Sequence, residues 1–319
     1  MRIGLDVMGG DYAPESSIRG AIKAQKTLPA SDRLVLFGEE EVILKQLNKE
    51  KADSKLFDIV HCPETIRMNE HALKAYSHKQ KSSIGTGFRY LKAGKIDTFS
   101  GAGNSGAMVV GSMYTVNTIQ GIIRPCTSVI LPKENGGITI LLDVGTNPDP
   151  KPDVMYQFGI IGSVYASHVH EIDQPRVGLL NIGEEEEKGN LLTQHVFQLM
   201  KDSKDFNFIG NVEGRDLMND KADVIVTDGF TGNVVLKQIE AMYQFLMKRD
   251  YTDTYIDRLN YEIYGGTPIL GINAPVVLGH GISTPLAVKN MLLLSKEVCQ
   301  ANLSDKIKKV LSKYQQDES

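Results

Sequence analysis

The sequence predicts an α/β fold built on a large, doubly wound and mostly parallel sheet. Short runs rich in Val, Ile and Leu alternate with longer stretches of helical periodicity, which is the pattern of successive βαβ units. Turn residues, above all glycine, follow many of the apolar runs. The 319 residues are enough to bury a sizeable core. We therefore expect one α/β domain over residues 1–319, either compact or with two lobes around a cleft.

The predicted strands are short, rich in β-branched residues and bounded by turns. They are Arg2–Val7, Arg33–Phe37, Phe57–His61, Ile96–Ser100, Thr127–Leu131, Ile138–Asp143, Arg176–Ile182, Phe206–Ile209, Asp223–Thr227 and Pro275–Leu278.

Helical periodicity fills most of the gaps between these strands. It is clearest from Gly232 to Arg249, where apolar residues recur at helical spacing. This stripe consists of Val235, Ile239, Met242 and Leu246. Thr284 followed by Pro285 predicts another helix start, because threonine caps helices and proline fits the first helical position. A further helix is predicted from Ser304.

Composition and charge exclude several classes of protein. Lys and Arg number 35 against 39 Asp and Glu, a net charge of −4, whereas nucleic-acid binders usually carry a basic excess. Cys62, Cys126 and Cys299 lack zinc-binding spacing and suit a reducing cytoplasm. The N-terminus shows no signal peptide, and the apolar stretch Ala107–Val116 is too short to span a bilayer. We expect a soluble cytoplasmic protein, with association at the periphery of a membrane left open.

Five loops that follow predicted strands form the candidate site. In an open α/β sheet, ligands bind at the loops that leave the carboxyl ends of the strands. These loops are Met8–Asp11, Gly101–Gly106, Asp143–Asn147, Asn181–Asn190 and Asp228–Asn233. Glycine lets a backbone approach a ligand, and N–H groups at a helix start attract anions. Any one of these turns also suits an ordinary strand end, but together they predict a cleft for phosphate-like anions.

Several sharper motifs are incomplete. The loop Gly101–Gly106 matches the dinucleotide fingerprint, but the acid expected about 20 residues later is missing, which disfavours a nicotinamide cofactor. Ser105 departs from the GxSxG nucleophile elbow at its last position. His168 and His170 lack a companion carboxylate at metal-binding spacing, and we interpret them as a solvated surface pair. We predict neither a metal nor a cofactor.

Two charged positions remain open to more than one interpretation. Acids in the first turn of a helix usually complement its dipole, and we interpret at least three of the residues Glu184–Glu187 in this way. Lys188 follows directly and is either a surface cation or a group that faces the cleft. His280, between two glycines, is either a proton donor in the cleft or a capped loop residue.

The motifs of this chain resemble those of the phosphate acyltransferases, which make acyl phosphate for phospholipid synthesis. The resemblance runs in order through Asp6–Pro14, Ser100–Gly106, Leu142–Asn147, Asn181–Asn190, Gly210–Asp216, Asp228–Asn233 and Gly265–Gly271. It covers nearly the whole chain, and its first and fourth motifs are specific. After Gly271 the family usually has a glycine-bearing turn, where this chain has Asn273–Pro275 instead.

The resemblance implies a three-layer α/β/α fold akin to phosphotransacetylases and the isopropylmalate dehydrogenase group, and a homodimer. It implies that a fatty acyl group moves from acyl carrier protein to inorganic phosphate. It also implies that the acyl phosphate is handed over to a membrane glycerol-3-phosphate acyltransferase.

Such a reaction needs held anions and fixed donors rather than a covalent triad, because phosphate is a nucleophile and a thiolate leaves readily. We therefore predict that Lys188 and Asn104 act at the phosphate or the oxyanion and that His280 donates a proton. The predicted substrate-binding residues are Gly10, Asp11, Ser105, Gly106, Asp143, Asn147, Asn181, Asn190, Asp228 and Asn233.

Other functions and partners stay open at this point. The same fold suits a small-acyl phosphotransacetylase or an NAD(P)-dependent dehydrogenase, and a non-enzymatic scaffold that binds an acyl carrier is a third alternative. The region Ala241–Leu270 mixes aromatic and apolar residues with Lys248, Arg249 and Arg258. This mixture suits either a dimer interface or a surface that contacts a membrane or the carrier.

Overall fold

The computed structural model describes residues 1–317, with side chains described as far as residue 311. Its strands are β1 (Arg2–Asp6), β2 (Arg33–Gly38), β3 (Phe57–His61), β4 (Thr98–Gly101), β5 (Cys126–Pro132), β6 (Ile138–Leu142), β7 (Arg176–Leu180), β8 (Asn207–Val212), β9 (Val224–Val226), β10 (Thr267–Leu270) and β11 (Val276–Leu278). Each predicted strand has a counterpart. Only β10 was not predicted, because Pro268 lies inside it and proline argues against a strand.

The described helices follow the predicted periodicity. They are α1 (Glu15–Gln25), α2 (Glu40–Lys49), α3 (Ala72–His78), α4 (Ser83–Lys92), α5 (Ser105–Gly111), α6 (Pro152–Val169), α7 (Leu191–Met200), α8 (Gly229–Met247), α9 (Tyr261–Tyr264), α10 (Pro285–Gln300) and α11 (Leu303–Asp317). Helix α10 begins at the predicted proline. Helix α8 begins three residues before Gly232, because Asp228 caps it by accepting a hydrogen bond from the Thr231 N–H at 2.8 Å.

The chain divides into two compact units, and the first comprises residues 1–118 and 261–300. Its strands lie in the order β3-β2-β1-β4-β11-β10. All neighbours are parallel except β10 and β11. In the core of this unit the ring of Phe99 packs edge-on against Phe37 at 5.6 Å and against Phe88 at 5.2 Å between ring centroids. The first unit is thus a mostly parallel sheet with flanking helices, as predicted.

The second unit comprises residues 119–260 and the chain from Ala301 onward. Its strands lie in the order β5-β6-β9-β7-β8, and only β5 and β6 are antiparallel. Leu141, Val212 and Ile225 are fully buried in its core. This unit too is mostly parallel, which the apolar, β-branched strands predict.

No helix within residues 1–317 has both the length and the apolar character needed to cross a membrane. The apolar stretch Ala107–Val116 divides into the end of α5 and a π-helical turn over Ser112–Val116. Cys62 and Cys126 are buried, Cys299 is half-buried, and all three thiols are free.

One interpretation of the sequence is wrong at the end of α6. His168 is exposed, but the ring of His170 packs edge-on against Tyr165, with 4.9 Å between ring centroids. Its Nε2 atom is buried without a hydrogen bond to a described residue. Burial lowers the pKa of His170 to about 4, so the imidazole is neutral at pH 7. His170 is therefore a packed residue rather than half of a solvated pair.

Candidate active site

In the first unit, three candidate loops leave the same edge of the sheet. Strand β4 lies between β1 and β11 and is parallel to both. Their carboxyl ends therefore bring together Met8–Asp11, Gly101–Gly106 and Gly279–Gly281. This is the edge at which open α/β sheets bind ligands.

Backbone contacts lock these three loops to one another. The Asp11 N–H donates to the Gly281 carbonyl at 2.8 Å, and the Gly279 N–H donates to the Gly101 carbonyl at 2.9 Å. Gly10 has a φ of 110°, and a Cβ there would lie 3.2 Å from the Gly281 oxygen. Only glycine adopts this conformation readily, so the glycine pair in the first motif is a requirement of the loop packing.

The Asp6 carboxyl lies beneath these loops, at the end of β1. Its Oδ1 accepts a hydrogen bond from the Met8 N–H at 3.0 Å, whereas Oδ2 makes no hydrogen bond of standard geometry with a described residue. A Cβ at Gly9 would lie 2.5 Å from Oδ2, and one at Gly103 would lie 3.0 Å from it. Burial raises the pKa of Asp6, while the Ser83 hydroxyl and the N–H groups of Met8 and Gly9 lower it less strongly. Asp6 opens the first motif of the resemblance but was not among the predicted site residues, because it ends an apolar strand.

Asn104 connects the Gly101–Gly106 loop to an earlier part of the chain. Its Oδ1 caps α5 by accepting from the Ala107 N–H at 3.0 Å. Its Nδ2 lies 3.1 Å from the carbonyl oxygen of Arg67, 3.3 Å from that of Met68 and 2.9 Å from that of Glu70. The whole amide is therefore engaged within the protein. Nothing in the local sequence pattern indicates this contact.

Two predicted residues next to Asn104 differ in their surroundings. Ser105 is exposed at the start of α5. Gly106 is packed closely, because a Cβ at this position would lie 2.7 Å from Cβ of Ala72 in α3. Of the two polar side chains in this loop, that of Asn104 is buried and that of Ser105 is exposed.

His280 lies between the two glycines of the loop that follows β11. It is half-buried, and its ring centroid lies 5.3 Å from that of Tyr261. Its Nδ1 accepts a long hydrogen bond from the Ile282 N–H at 3.5 Å. This contact orients the imidazole ring within the loop.

The departure from the family pattern after Gly271 has a structural role of its own. Asn273 is exposed, and its Nδ2 donates to the carbonyls of Asn117 and Thr118 at 3.2 and 2.9 Å. Its backbone N–H also donates to Asn117, at 3.1 Å. Asn117 adopts a left-handed conformation with a φ of 68°. The asparagine thus anchors a strained turn of the first unit.

In the second unit, a further group of candidate loops shares one edge of the sheet. Strand β9 lies between β6 and β7 and is parallel to both. The loops Asp143–Asn147, Asn181–Asn190 and Asp228–Asn233 therefore leave neighbouring strands on the same side.

Asp143 is the centre of the first of these loops and is fully buried. Its carboxylate accepts from the N–H and hydroxyl of Thr127, both at 2.9 Å, and from the N–H and side-chain amide of Asn147 at 2.5 and 3.0 Å. The Asn147 carbonyl in turn accepts from the Gly229 N–H at 2.7 Å. A Cβ at Gly229 would lie 2.7 Å from Asp143 Oδ2. Asp143 and Asn147 therefore hold this loop and the start of α8 together.

Two further predicted residues start α8. Asp228 is the cap described above, and it also accepts from the Thr231 hydroxyl at 2.7 Å. Asn233 is exposed, and its side chain faces Gly145, where a Cβ would lie 3.5 Å from Asn233 Oδ1. The structure thus brings Asn233 and Gly145 together at one point of the loop edge.

Lys188 is the single Lys or Arg of the loop Asn181–Asn190. Asn181 Nδ2 holds the Lys188 carbonyl at 3.1 Å, and Asn190 caps α7 by accepting from the Thr193 N–H at 2.9 Å. The Lys188 side chain is exposed, and it forms no ion pair with any residue whose side chain is described. Its backbone is thus fixed while its ammonium group remains available for an anion.

The four glutamates before Lys188 lie in a loop, since α7 starts only at Leu191, so their assignment to a first helical turn is wrong. Glu184 pairs instead with Lys221 at 2.6 Å, and Glu186 pairs with Lys201 at 3.1 Å. Oxygens of Glu184, Glu213 and Asp216 lie within 4.8 Å of one another. Lys221 binds both Glu184 and Asp216, which makes this cluster an ion-pair network. Ion pairs thus account for Glu184 and Glu186, two of the four glutamates.

Comparison with known proteins identifies related chains. Residues 1–306 match the family model described as a fatty acid synthesis protein. The chain is 40% identical to the phosphate acyltransferase of Halothermothrix orenii over 333 residues, covering 98% of this chain and 99% of that protein. A phosphotransacetylase from Streptococcus pyogenes superposes with a TM-score of 0.65 at 15% identity, covering 93% of this chain and 94% of the other. A 4-hydroxythreonine-4-phosphate dehydrogenase from Klebsiella pneumoniae gives 0.57 at 12% identity, covering 94% and 98%. These structural likenesses establish the predicted fold alone.

Proposed function

Because the chain belongs to the phosphate acyltransferase family, we propose that it moves a fatty acyl group from acyl carrier protein to inorganic phosphate. The protein is an enzyme, and its product is an acyl phosphate. The proposal has two finer parts. The acyl donor is acyl carrier protein, and the acyl phosphate is used in phospholipid synthesis.

The chemical step needs few groups from the protein. A phosphate oxygen attacks the thioester carbonyl carbon, the C–S bond breaks, and the sulfur leaves as a thiolate that then takes up a proton. Thiols have pKa values of about 8.5, so the leaving group is tolerable without prior protonation. The protein must hold phosphate against the carbonyl and supply donors to the developing oxyanion.

The observation that supports this role best is the gathering of the motif loops in each unit at the carboxyl ends of parallel strands. There the exposed Ser105 hydroxyl and the unpaired Lys188 ammonium are suited to an anion. We assign both to phosphate or oxyanion binding. Asn104, whose amide is engaged within the protein, acts in this proposal by fixing the loop that carries Ser105.

The remaining assignments follow the same division. His280 would supply the proton that the leaving thiolate takes up. Gly10, Asp11 and Gly106 would shape the site in the first unit. The corresponding residues of the second unit are Asp143, Asn147, Asn181, Asn190, Asp228 and Asn233.

The proposal is tested with purified protein, a long-chain acyl-carrier substrate and phosphate. We expect free carrier thiol and acyl phosphate to appear only when phosphate is present, without added metal or nucleotide. Thiol release that is unchanged when phosphate is omitted, or that requires NAD, would show that the proposal is wrong. A scaffold would bind the carrier without releasing thiol, and a small-acyl phosphotransacetylase would prefer acetyl over long acyl donors.

Further parts of the proposal concern assembly and location. We propose a homodimer, as the family resemblance implies. We also propose a location in the cytoplasm, since three free cysteines suit a reducing compartment. Because acyl phosphate is amphiphilic, we also propose its hand-over to a membrane glycerol-3-phosphate acyltransferase.

The exposed surface of α8 suits either an interface between protomers or peripheral membrane contact. Met242 and Phe245 are exposed on α8, and Tyr251 is exposed shortly after its end. The Arg249 guanidinium lies 4.8 Å from the Phe245 ring centroid. The Arg258 guanidinium instead binds backbone carbonyls, among them Lys133 at 3.1 Å. Arg258 therefore stabilises the second unit through contacts within it. The basic character of this surface comes from Lys248 and Arg249.

A further inference from the structure

A strongly basic segment lies beside the candidate loops of the first unit. Residues 64–95 contain seven Lys and Arg against two Glu, an excess of five positive charges in a chain whose net charge is −4. Such a local reversal of sign attracts an acidic partner.

Several cations of this segment are engaged within the protein. Lys79 binds Glu70 at 2.7 Å, Arg89 donates to the Thr86 hydroxyl at 2.9 Å, and the Lys95 ammonium lies 5.0 Å from the Tyr90 ring centroid. Arg67, Lys74 and Lys81 differ from these. All three are exposed, and none forms an ion pair with a residue whose side chain is described. They are available to a partner, as is Lys92, the exposed last residue of α4.

Two apolar side chains are exposed within the same stretch. Met68 is 43% exposed and Leu73 is 48% exposed. Protein interfaces commonly combine an apolar centre with a charged rim, in which the charges steer the encounter. Arg67, Lys74 and Lys81 together with Met68 and Leu73 are called the basic surface below.

The basic surface is joined directly to the candidate site. The carbonyls of Arg67 and Met68 accept from the Asn104 amide, at 3.1 and 3.3 Å. The methyl group of Met68 lies 3.1 Å from the position that a Cβ at Gly281 would take. A partner on this surface would therefore sit within reach of Ser105.

We propose that the basic surface is where acyl carrier protein, an acidic partner, docks to present its thioester. The inference rests on the proposed function, because it takes the carrier as the acyl donor. Docking there places the donor beside the Gly101–Gly106 loop while the carrier itself stays on the outside of the first unit.

The test uses charge reversal with a matched control. The variant K74E/K81E reverses two cations of the basic surface, and K23E/K26E reverses two exposed lysines in and just after α1. Both changes alter net charge equally. We expect K74E/K81E to raise KM for the acyl-carrier substrate by at least about tenfold with little change in kcat, whereas the control stays near wild type. With acyl-pantetheine, which lacks the carrier, both variants should match the wild-type enzyme.

Binding of unacylated carrier separates this inference from the proposed function. Fluorescence anisotropy with labelled carrier should show weaker binding to K74E/K81E only, and wild-type binding should weaken with added salt. An unchanged KM and affinity in K74E/K81E, or an equal loss in K23E/K26E, would overturn the docking site. Loss of anionic-vesicle binding with an unchanged carrier KM would assign the surface to membranes and overturn it too. Carrier binding without phosphate-dependent thiol release would instead overturn the proposed function and leave the docking surface supported.

Discussion

Lys133 Nζ lies 2.6 Å from Asp223 Oδ1, and the lysine side chain is only 3% exposed. Arg176 binds the other oxygen of the same carboxylate at 2.9 Å. Although burial opposes ionisation, the hydrogen bonds from Arg176 and Lys133 hold the pKa of Asp223 well below its usual range. This network ties β5, β7 and the start of β9 together in the second unit.

Replacing Asp223 with Asn should lower the free energy of unfolding at pH 7 by up to about 3–5 kcal/mol, because buried Lys133 loses its closer partner and keeps only Asp220, at 3.1 Å. A lowered pKa stabilises the fold above the unfolded value of about 3.9, and this contribution is lost as the pH falls below it. The difference between the two proteins should therefore shrink in acid. Urea unfolding from about pH 2 to pH 7 measures it, with Asp173→Asn as the exposed control. Equal losses in the two variants would contradict the role of the network.

Asp6→Asn should be at least as stable as the wild-type protein at pH 7. Because burial raises the pKa of Asp6, the folded chain keeps its proton to a higher pH than the unfolded chain does. Wild-type stability is consequently lost as pH rises between the two values, and the uncharged amide removes this loss. Asp6→Ala should be less stable than Asp6→Asn, because Ala leaves the Met8 N–H without its acceptor. Thermal unfolding across pH 4 to 8 measures these stabilities. An Asp6→Asn variant as unstable as Asp6→Ala would show that the negative charge of Asp6 stabilises the fold.

Lys188→Ala should reduce kcat/KM for phosphate by about ten- to a hundredfold, the value of one charge-assisted bond to a charged ligand. The fold should be unaffected, since the side chain is exposed and has no ion pair within the described residues. Lys204→Ala, at another exposed lysine of the second unit, is the matched control. Steady-state rates over a phosphate titration measure the effect. Full turnover with an unchanged phosphate KM would make Lys188 an ordinary surface residue.

The double variant M242E/F245E should sediment as a monomer, because carboxylates on an apolar contact surface are costly to desolvate. Gln238→Glu, at an exposed polar position of α8, should leave assembly intact. Analytical ultracentrifugation is paired with sedimentation on anionic vesicles. An active dimer that no longer binds vesicles would assign the surface to membranes, and an active dimer with unchanged vesicle binding would exclude both roles.

Local signals in the sequence predicted what local physics determines. The Thr284-Pro285 pair located the start of α10 because capping and the fixed φ of proline act within one turn. The start of α8 was missed by three residues, although Asp228 followed by a threonine three residues later is itself a capping signal. These features depend on neighbours in the chain.

The remaining features depend on contacts between distant residues. Asn104 reaches the Glu70 carbonyl across 34 residues, and Glu184 finds Lys221 across 37. Neither partner is marked by spacing or composition. The burial of Asp6 likewise depends on the close approach of Gly9 and Gly103, which lie in the loops after β1 and β4. Such contacts are set by packing, which a pattern along one chain does not encode directly.

The contact between Asn104 and residues 67–70 allows the partner-facing surface and the Ser105 loop to change independently during evolution. The amide grips only main-chain oxygens, which every amino acid supplies. Substitutions at Arg67 and Met68 can consequently follow changes in the partner's surface, while the loop that carries Ser105 keeps its shape. Substitutions that change recognition of the partner therefore require no compensating substitutions in the candidate site. A protein that is held together here by main-chain contacts can change its binding partner through single substitutions at the surface.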